Sequence, residues 1–331
     1  MRLRLLFLLY LSIPLLAGWG HWGPQVKVGF SVDNAQGREV LIKSLKDELE
    51  DNRADLLLKD AKGDPSAQEQ QVKDLIAQGI QALIVLPVDP EKAAPLVQAA
   101  HQAGIKVIAL DSMISGGGLD YLVAFNDEKA GELQAKAVVK KTPRGSYLLL
   151  GSNQGLREGQ MKVLQPQIER GDIRIVASGV LDEPVTLKGA KKKIDSLLKE
   201  EGTQVNVVLA ADNQLAAEAV QSMGMNGTPG KIQLAGIGED LASCRRIASG
   251  TQALTIYHPP KKLAEEAAYL TAKVARNAKE FDCQFIDLDN GGGTTKAVLL
   301  TPVVVDAKNL DSTIIADGVQ KKEEVYGKDG N

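Results

Sequence analysis

The sequence predicts an α/β protein of two Rossmann-like, doubly wound parallel-sheet lobes joined by a three-strand hinge, and three observations carry that prediction. From Val26 onward, short runs of β-branched and aliphatic residues alternate with amphipathic helical stretches. Those short runs are almost continuously apolar, which suits strands of a parallel sheet covered by helices on both faces. The alternation occurs twice, with four or five strands in each set, and 331 residues are too many for one small core.

VKVGFSV (26–32) is the first strand. From Arg38 to Asn52, Val40, Leu41, Leu45 and Leu49 recur at helical spacing. ADLLLKDA (54–61) follows, then the helix SAQEQQVKDLIAQG, with Ser66 as its cap, Glu69 three residues on and Gly79 as terminator. IQALIVLP (80–87) is a strand ended by Pro87, and Asp89-Pro90 opens a helix that runs to Gly104. KVIALD (106–111) closes the first set.

The second set begins near Asp127. Its helices are EKAGELQAKAVVKK, EGQMKVLQPQIERG, LKGAKKKIDSLLKEE, QLAAEAVQSMG and DLASCRRIASG, alternating with the strands GSYLLLGS, IRIVASGVL, VNVVLAAD and KIQLAGIG. After TQALTIYHPP come one long amphipathic helix, KKLAEEAAYLTAKVARNAK, then FDCQFID, a flexible DNGGGTTK (289–296) and LLTPVVVDAKN. These last pieces are too few for a third domain, so they complete the first two. The expected lobes are 25–125 plus 258–287 and 126–257 plus 288–320, with a polar tail at 321–331. A hinge of several crossovers permits closure around a guest.

Composition narrows the function. With 44% hydrophobic and 24% charged residues and a formal charge of −3, the chain has no basic excess for nucleic acid. The lysines of KGAKKKID (188–195) flank Ile194 and Leu197 at helical spacing and read as a solvated helix face. Arg2 and Arg4 precede an apolar stretch from Leu5 to Ala17, an export-signal layout shorter than the roughly 20 residues a membrane span needs. The one small-x-small site is Gly18-Trp19-Gly20, and no cysteine follows for lipid attachment. Residues 1–24 are therefore either a cleaved signal peptide or an uncleaved membrane anchor, and the chain from about Gln25 lies outside the cytoplasmic membrane. Cys244 and Cys283 are far apart and lack metal-ligand spacing, and sequence leaves their pairing open.

Catalytic constellations are missing. The three histidines are His21, in the export segment, His101, at a surface helix end, and His258, and no nucleophile–histidine–carboxylate set can be assembled from them. There is no GxxxxGK[ST], HExxH or CxxC. GIGEDL (236–241) lacks the third glycine of a dinucleotide fingerprint and reads as a tight strand–helix turn. The GGG runs at 116–118 and 291–293 read as loop flexibility. No metal or cofactor is implied.

What remains is binding. In open parallel sheets, ligands sit beyond the carboxyl ends of the strands. The polar residues there are Asp33-Asn34, Asp111, Asn126-Asp127 and Asp212-Asn213, with Arg157 in the loop after YLLLGS. Carboxylates and amides facing a guanidinium suit a neutral polyol, since carboxylates accept hydroxyl protons and arginine donates in a fork. Each Asp or Asn has helix N-capping as its other reading, Asp127 and Asn213 above all and Asp111 least, because a loop follows it.

GLDYLVAFNDEKAGELQAKAVV, LREGQMKVLQP, RRIASGTQALTIYHP and LLTPVVV resemble the xylose-type branch of the type I periplasmic sugar-binding proteins of bacterial ABC importers, with likeness from about Val26 to Gly318. No helix-turn-helix precedes the first strand, which separates the chain from related repressors. The resemblance implies the type I periplasmic binding protein fold, three hinge crossovers, and a small sugar, a pentose foremost, held in the cleft without chemistry. It also implies an ABC permease as partner, or a membrane sensor kinase or chemoreceptor if the N-terminus stays as an anchor. Mapped on the family pattern, Asp111 and Arg157 match. The arginine after Asp111 is replaced by Ser112, the Asn-Asp strand end is reversed as Asp212-Asn213, a lysine by His258, a carboxylate by Gly238, and a first-loop arginine or aromatic falls near Gln36. The expected ligand set is thus Asp33, Asn34, Gln36, Asp111, Ser112, Asn126, Arg157, Asp212 and His258, with Phe30, Phe125 and Tyr257 as aromatics able to stack on a ring. A hydrogen bond to a charged group contributes about 1.5–3 kcal/mol, so three lost anchors cost several orders of magnitude in affinity. That points to a different ligand or a different use.

Overall fold

The computed structural model describes residues 24–151, 153–177, 195, 204–222, 224 and 232–327. The export segment and the helix expected over LKGAKKKIDSLLKEE lie outside the described residues, save Asp195.

The first lobe starts with β1 (Val26–Val32), α1 (Glu39–Asp51), β2 (Ala54–Asp60), α2 (Pro65–Ala77), β3 (Ala82–Val85), α3 (Ala94–Gln102), β4 (Lys106–Leu110) and β5 (Tyr121–Phe125). Valine and phenylalanine on β1 alternate their burial partners as strand geometry requires. Val28, Phe30 and Val32 are fully buried against Leu41, Leu45 and Leu49 of α1, while the opposite sheet face packs on Val72 and Leu75 of α2 and Leu96 and Val97 of α3. Two helix starts differ from expectation. Asp64, not Ser66, caps α2, accepting from the Ser66 N–H at 2.8 Å, with Pro65 opening the helix. Residues 90–92 form a turn, and α3 begins only at Ala94.

The second lobe comprises α4 (Asp127–Lys141), β6 (Gly145–Leu150), α5 (Gln154–Glu169), β7 (Ile173–Ala177), β8 (Val207–Ala210), α6 (Asn213–Ser222), β9 (Gln233–Ile237), α7 (Leu241–Ala248) and β10 (Leu254–Tyr257). Tyr147, Leu149, Val207 and Leu209 face α4 and α5, and Leu148, Leu150, Val208 and Ala210 face α6. Helices α4 and α5 cross at backbone contact: a Cβ at Gly131 would fall 2.1 Å from the Leu156 carbonyl oxygen, and one at Gly159 would fall 1.8 Å from that of Glu128. Buried Gln134 ties α4 to the sheet by donating to the Ala210 and Ala235 carbonyls at 2.8 and 3.2 Å, and Gln160 donates to its Oε1 at 2.8 Å.

The chain then returns to the first lobe as α8 (Pro260–Ala275), which covers β1 with Leu263, Ala264, Ala267 and Ala268. β11 (Ile286–Asp289) and β12 (Thr294–Leu300) form a hairpin, and β12 pairs parallel to β5 with Leu300 opposite Phe125. This corrects the expected lobe boundary. Residues 288–300 are expected in the second lobe, whereas their strand bonding puts them in the first sheet, and the last crossover lies at Thr301-Pro302. β13 (Val303–Val305) then joins β10 antiparallel. The strand orders are β11-β12-β5-β4-β3-β1-β2 and β13-β10-β9-β8-β6-β7.

Two further expectations change. The GGG runs are packed, not loose: the Gly116 N–H donates to the Asn290 carbonyl at 2.6 Å, the Asn290 side chain donates to the Ile114 and Gly116 carbonyls, and a Cβ at Gly292 would lie 2.7 Å from the Gly117 nitrogen. The polar tail docks: α9 (Lys322–Tyr326) buries Val325 beside Cys244 and Ile247, and Arg245 donates to the Glu324 carbonyl at 2.8 Å. Cys244 and Cys283 are both free thiols. Among the described residues, no helix is long and apolar enough to cross a membrane.

Candidate functional site

The chain passes between lobes three times, after Phe125, after Tyr257 and after Leu300. The first and third crossovers are bonded, with the Asn126 N–H donating to the Leu300 carbonyl at 2.9 Å. The first and second are stacked, the Phe125 and His258 rings lying parallel within 6° at 4.6 Å between centroids. The three passages therefore form one local hinge.

Above that hinge lies a cavity of about 280 Å³. The first lobe lines it with the start of α1 and with Asp111; the second lobe contributes Gly238, Glu239 and Val319. Phe125 and His258 form its hinge side, with Pro260 and Leu263 beside them. Asp111, Glu239 and His258 directly follow β4, the Gly238 turn after β9, and β10, so the site sits beyond the carboxyl ends of both sheets. Small-molecule sites range from roughly 300 Å³ upward, so this volume suits a guest the size of a monosaccharide.

Asp111 holds a left-handed backbone, φ 65°, with its N–H donating to the Val123 carbonyl at 2.8 Å. That turn ends β4 and leaves the carboxylate exposed in the cleft. Glu239 comes from the opposite lobe after Gly238, whose φ of 115° swings the chain over the strand end. Burial, then the carboxylates of Asp111 and Asp240, push the Glu239 carboxyl up to about 7, against the opposing pull of Arg38. Burial pushes the His258 imidazole below its usual range, although Asp111 and Asp127 oppose this, and its Nε2 is buried without a hydrogen-bond partner. Asp127 is raised, chiefly by burial and also by Asp111, while His258 and the Asn153 amide, 2.9 Å away, pull it down.

Arg38 supplies a cation that the sequence reading missed. Its guanidinium is held in a fork by Asp33, at 2.8 and 2.9 Å, and it lines the cavity. Glu239 is the second such residue, its carboxylate following Gly238 by one position. Both had a signal, an arginine opening the helix after the Asp33 strand end and an acidic pair after the glycine of GIGEDL.

Of the nine expected ligand residues, the structure brings Asp111 and His258 to this cavity. Asp33 acts at one remove, through Arg38. Asn34 and Gln36 are engaged in their own loop, where Asn34 Oδ1 accepts from the Gln36 N–H at 3.0 Å. Ser112 turns back, its N–H donating to the Leu110 carbonyl at 2.7 Å. Asn126 and Asp212 are helix caps, accepting from the Lys129 and Leu215 N–H groups at 2.8 and 2.7 Å. Arg157 sits in the first turn of α5, outside the residues lining the cavity. Among the expected stacking aromatics only Phe125 lines it; Phe30 and Tyr257 are core, with the Tyr257 hydroxyl donating to Asp317 at 2.8 Å.

The profile of the family described as periplasmic binding protein domain matches residues 28–280. The D-xylose-binding periplasmic protein of Haemophilus influenzae is 34% identical over 314 residues, 91% of this chain and 92% of that protein. The D-xylose-binding periplasmic protein of Escherichia coli is 31% identical over 337 residues, 98% of this chain and all of that protein. An ABC transporter solute-binding protein from Clostridium phytofermentans, solved with β-D-glucose, superposes with a TM-score of 0.75 at 20% identity, covering 90% of this chain and 99% of that one, and shows the same fold. Two mostly parallel lobes, three crossovers and a cleft at the strand ends, matched along nearly the whole sequence, are those of a periplasmic binding protein, and this chain belongs to that family.

Proposed function

We propose that this chain is the extracytoplasmic solute-binding component of a sugar ABC importer of the xylose type, holding one small sugar or polyol, a pentose foremost, between its lobes. The observation that carries this reading is the cavity above the hinge, where carboxylates of opposite lobes face one guest-sized space floored by the Phe125–His258 pair. Closure about the three crossovers then completes the site around the guest and presents the closed form to a membrane permease. Nothing in that cycle breaks a bond of the guest, so the protein is a carrier and not an enzyme.

Calorimetry against pentoses, hexoses and polyols tests the reading. At least one member should bind and raise the melting temperature; no response at millimolar concentration from any of them sinks it. A second reading, a membrane-anchored sugar sensor signalling to a histidine kinase or chemoreceptor, is favoured by the weak Gly18-Trp19-Gly20 cleavage site. N-terminal sequencing of the membrane and soluble fractions separates the two: a soluble product starting near His21 removes the anchor.

A further inference from the structure

The cleft has an unusual charge balance for a neutral guest. Glu39 and Asp111 from the first lobe and Glu239 from the second line the cavity, and Asp127 lies within electrostatic reach of Asp111 and His258. Arg38 is the one arginine or lysine among the described lining residues, and Asp33 already grips it with both carboxylate oxygens. Glu39 is engaged locally, accepting from the Gly37 N–H at 3.0 Å. Asp111 and Glu239 therefore face the guest from opposite lobes, and the one lysine or arginine beside them, Arg38, is already paired with Asp33 and only partly offsets Glu239. Closure drives these like charges into a shared space with little water, which is unfavourable unless a cation or a proton comes between them.

We propose that the guest is a sugar or polyol bearing an amine, its ammonium seated between Asp111 and Glu239. This rests on the reading of the cleft as a sugar site and names the chemistry of its ligand. An ammonium carries three donors and can bond both carboxylates at once through short, charge-assisted contacts. The hydroxyls of the same guest meet the Arg38 N–H groups that Asp33 leaves unused and the orphaned Nε2 of His258, which suits a hydroxyl in either tautomer. The ammonium thus supplies, from the ligand side, the positive charge that the cavity lining lacks.

Matched ligands decide it. With the purified full chain at about pH 8, calorimetry compares xylitol with 1-amino-1-deoxyxylitol, and D-xylose as a neutral sugar. The amine should bind about tenfold tighter or more than xylitol, and that preference should fall about tenfold in Glu239→Gln and in Asp111→Asn, each shown to be folded by its melting curve. An amine that binds no better than xylitol overturns the proposal, as does a preference that survives both substitutions. If xylitol or D-xylose binds while the amine does not, the amine assignment fails and the sugar site stands; if none of the three binds, the amine assignment fails and the wider panel of pentoses, hexoses and polyols decides the sugar site. Neutral ligands that gain tenfold at about pH 5.5 with proton uptake, alongside an indifferent amine, would show that a proton fills the gap and would also overturn the proposal.

Discussion

At Asp111 the backbone itself argues for function. A left-handed φ costs an ordinary L-residue about 1–2 kcal/mol, and Asp and Asn tolerate it better than most. Asn keeps that tolerance and the shape but removes the charge. Asp111→Asn should therefore melt within a degree or two of the parent while losing about ten- to a hundredfold in affinity for its ligand, whereas Asp111→Ala should lose both binding and roughly 1 kcal/mol of stability, as denaturant titration would show. Glu239 gives a second prediction through its titration. Its carboxyl binds a proton more tightly folded, at about 7, than at the ordinary 4.5 of an unfolded chain. The folded state thus gains from protonation below that range, and the gain is lost as pH rises from about 4.5 through 7. Without ligand, the melting temperature should fall by several degrees across that window, and Glu239→Gln should flatten the fall; an equal slope in the variant would show that other groups set it. Residue by residue, the sequence was informative about strand ends and poor about their use. Asp111 and His258 could be placed because a strand end points at the cleft. Asn126 and Asp212 have the same sequence signature, but a helix starts just after each and takes the side chain as a cap. Arg38 and Glu239 reach the cavity only because of turns at Gly37 and Gly238, whose direction no local pattern reveals.

Among the described elements, the α4–α5 crossing brings helix backbones closest together, and its two glycines leave no room for a methyl group. Gly159→Ala would put a Cβ into the Glu128 carbonyl, and since both partners are helix backbone neither can swing aside. The expected cost is about 3 kcal/mol or more, read as a lower urea midpoint, because overpacking of a rigid contact forces backbone shifts. Ala at Gly171, where a Cβ would meet nothing within 4 Å, serves as the comparison for backbone strain alone, its φ being 75°. Helical periodicity placed α4 and α5 correctly, since 3.6-residue spacing is local. That Gly131 and Gly159 mark a crossing was not legible, since it depends on two helices meeting. The GGG runs mislead for the same reason: glycine is read as freedom, but at 116–118 and 291–293 it permits two loops to interlock around buried Asn290. The 288–300 segment was misplaced because β12 pairs with β5, strands separated by the whole second lobe in sequence.

For the molecule as a whole, the function reduces to a rotation of two bodies about one hinge. Each lobe has its own core, and the three passages between them are drawn together by the Asn126–Leu300 bond and the Phe125–His258 stack. Such a hinge favours bending over shear, because the crossovers share a single place and the facing surfaces are lined by charge. A ligand shifts the open–closed equilibrium only by as much as it binds the closed form more tightly. Small-angle scattering should thus show a radius of gyration near 19 Å for about 300 folded residues, decreasing by on the order of 1 Å when a binding ligand from the polyol or amino-polyol panel saturates the protein. Phe125→Ala removes the stack that couples the first two passages but leaves Asp111, Glu239 and Arg38 in place. It should weaken binding chiefly through a less complete closure, visible as a smaller change in radius at full occupancy. A ligand that binds with full affinity and no change in radius would mean that recognition is complete in the open form, and the two-lobed clamp would have to be abandoned.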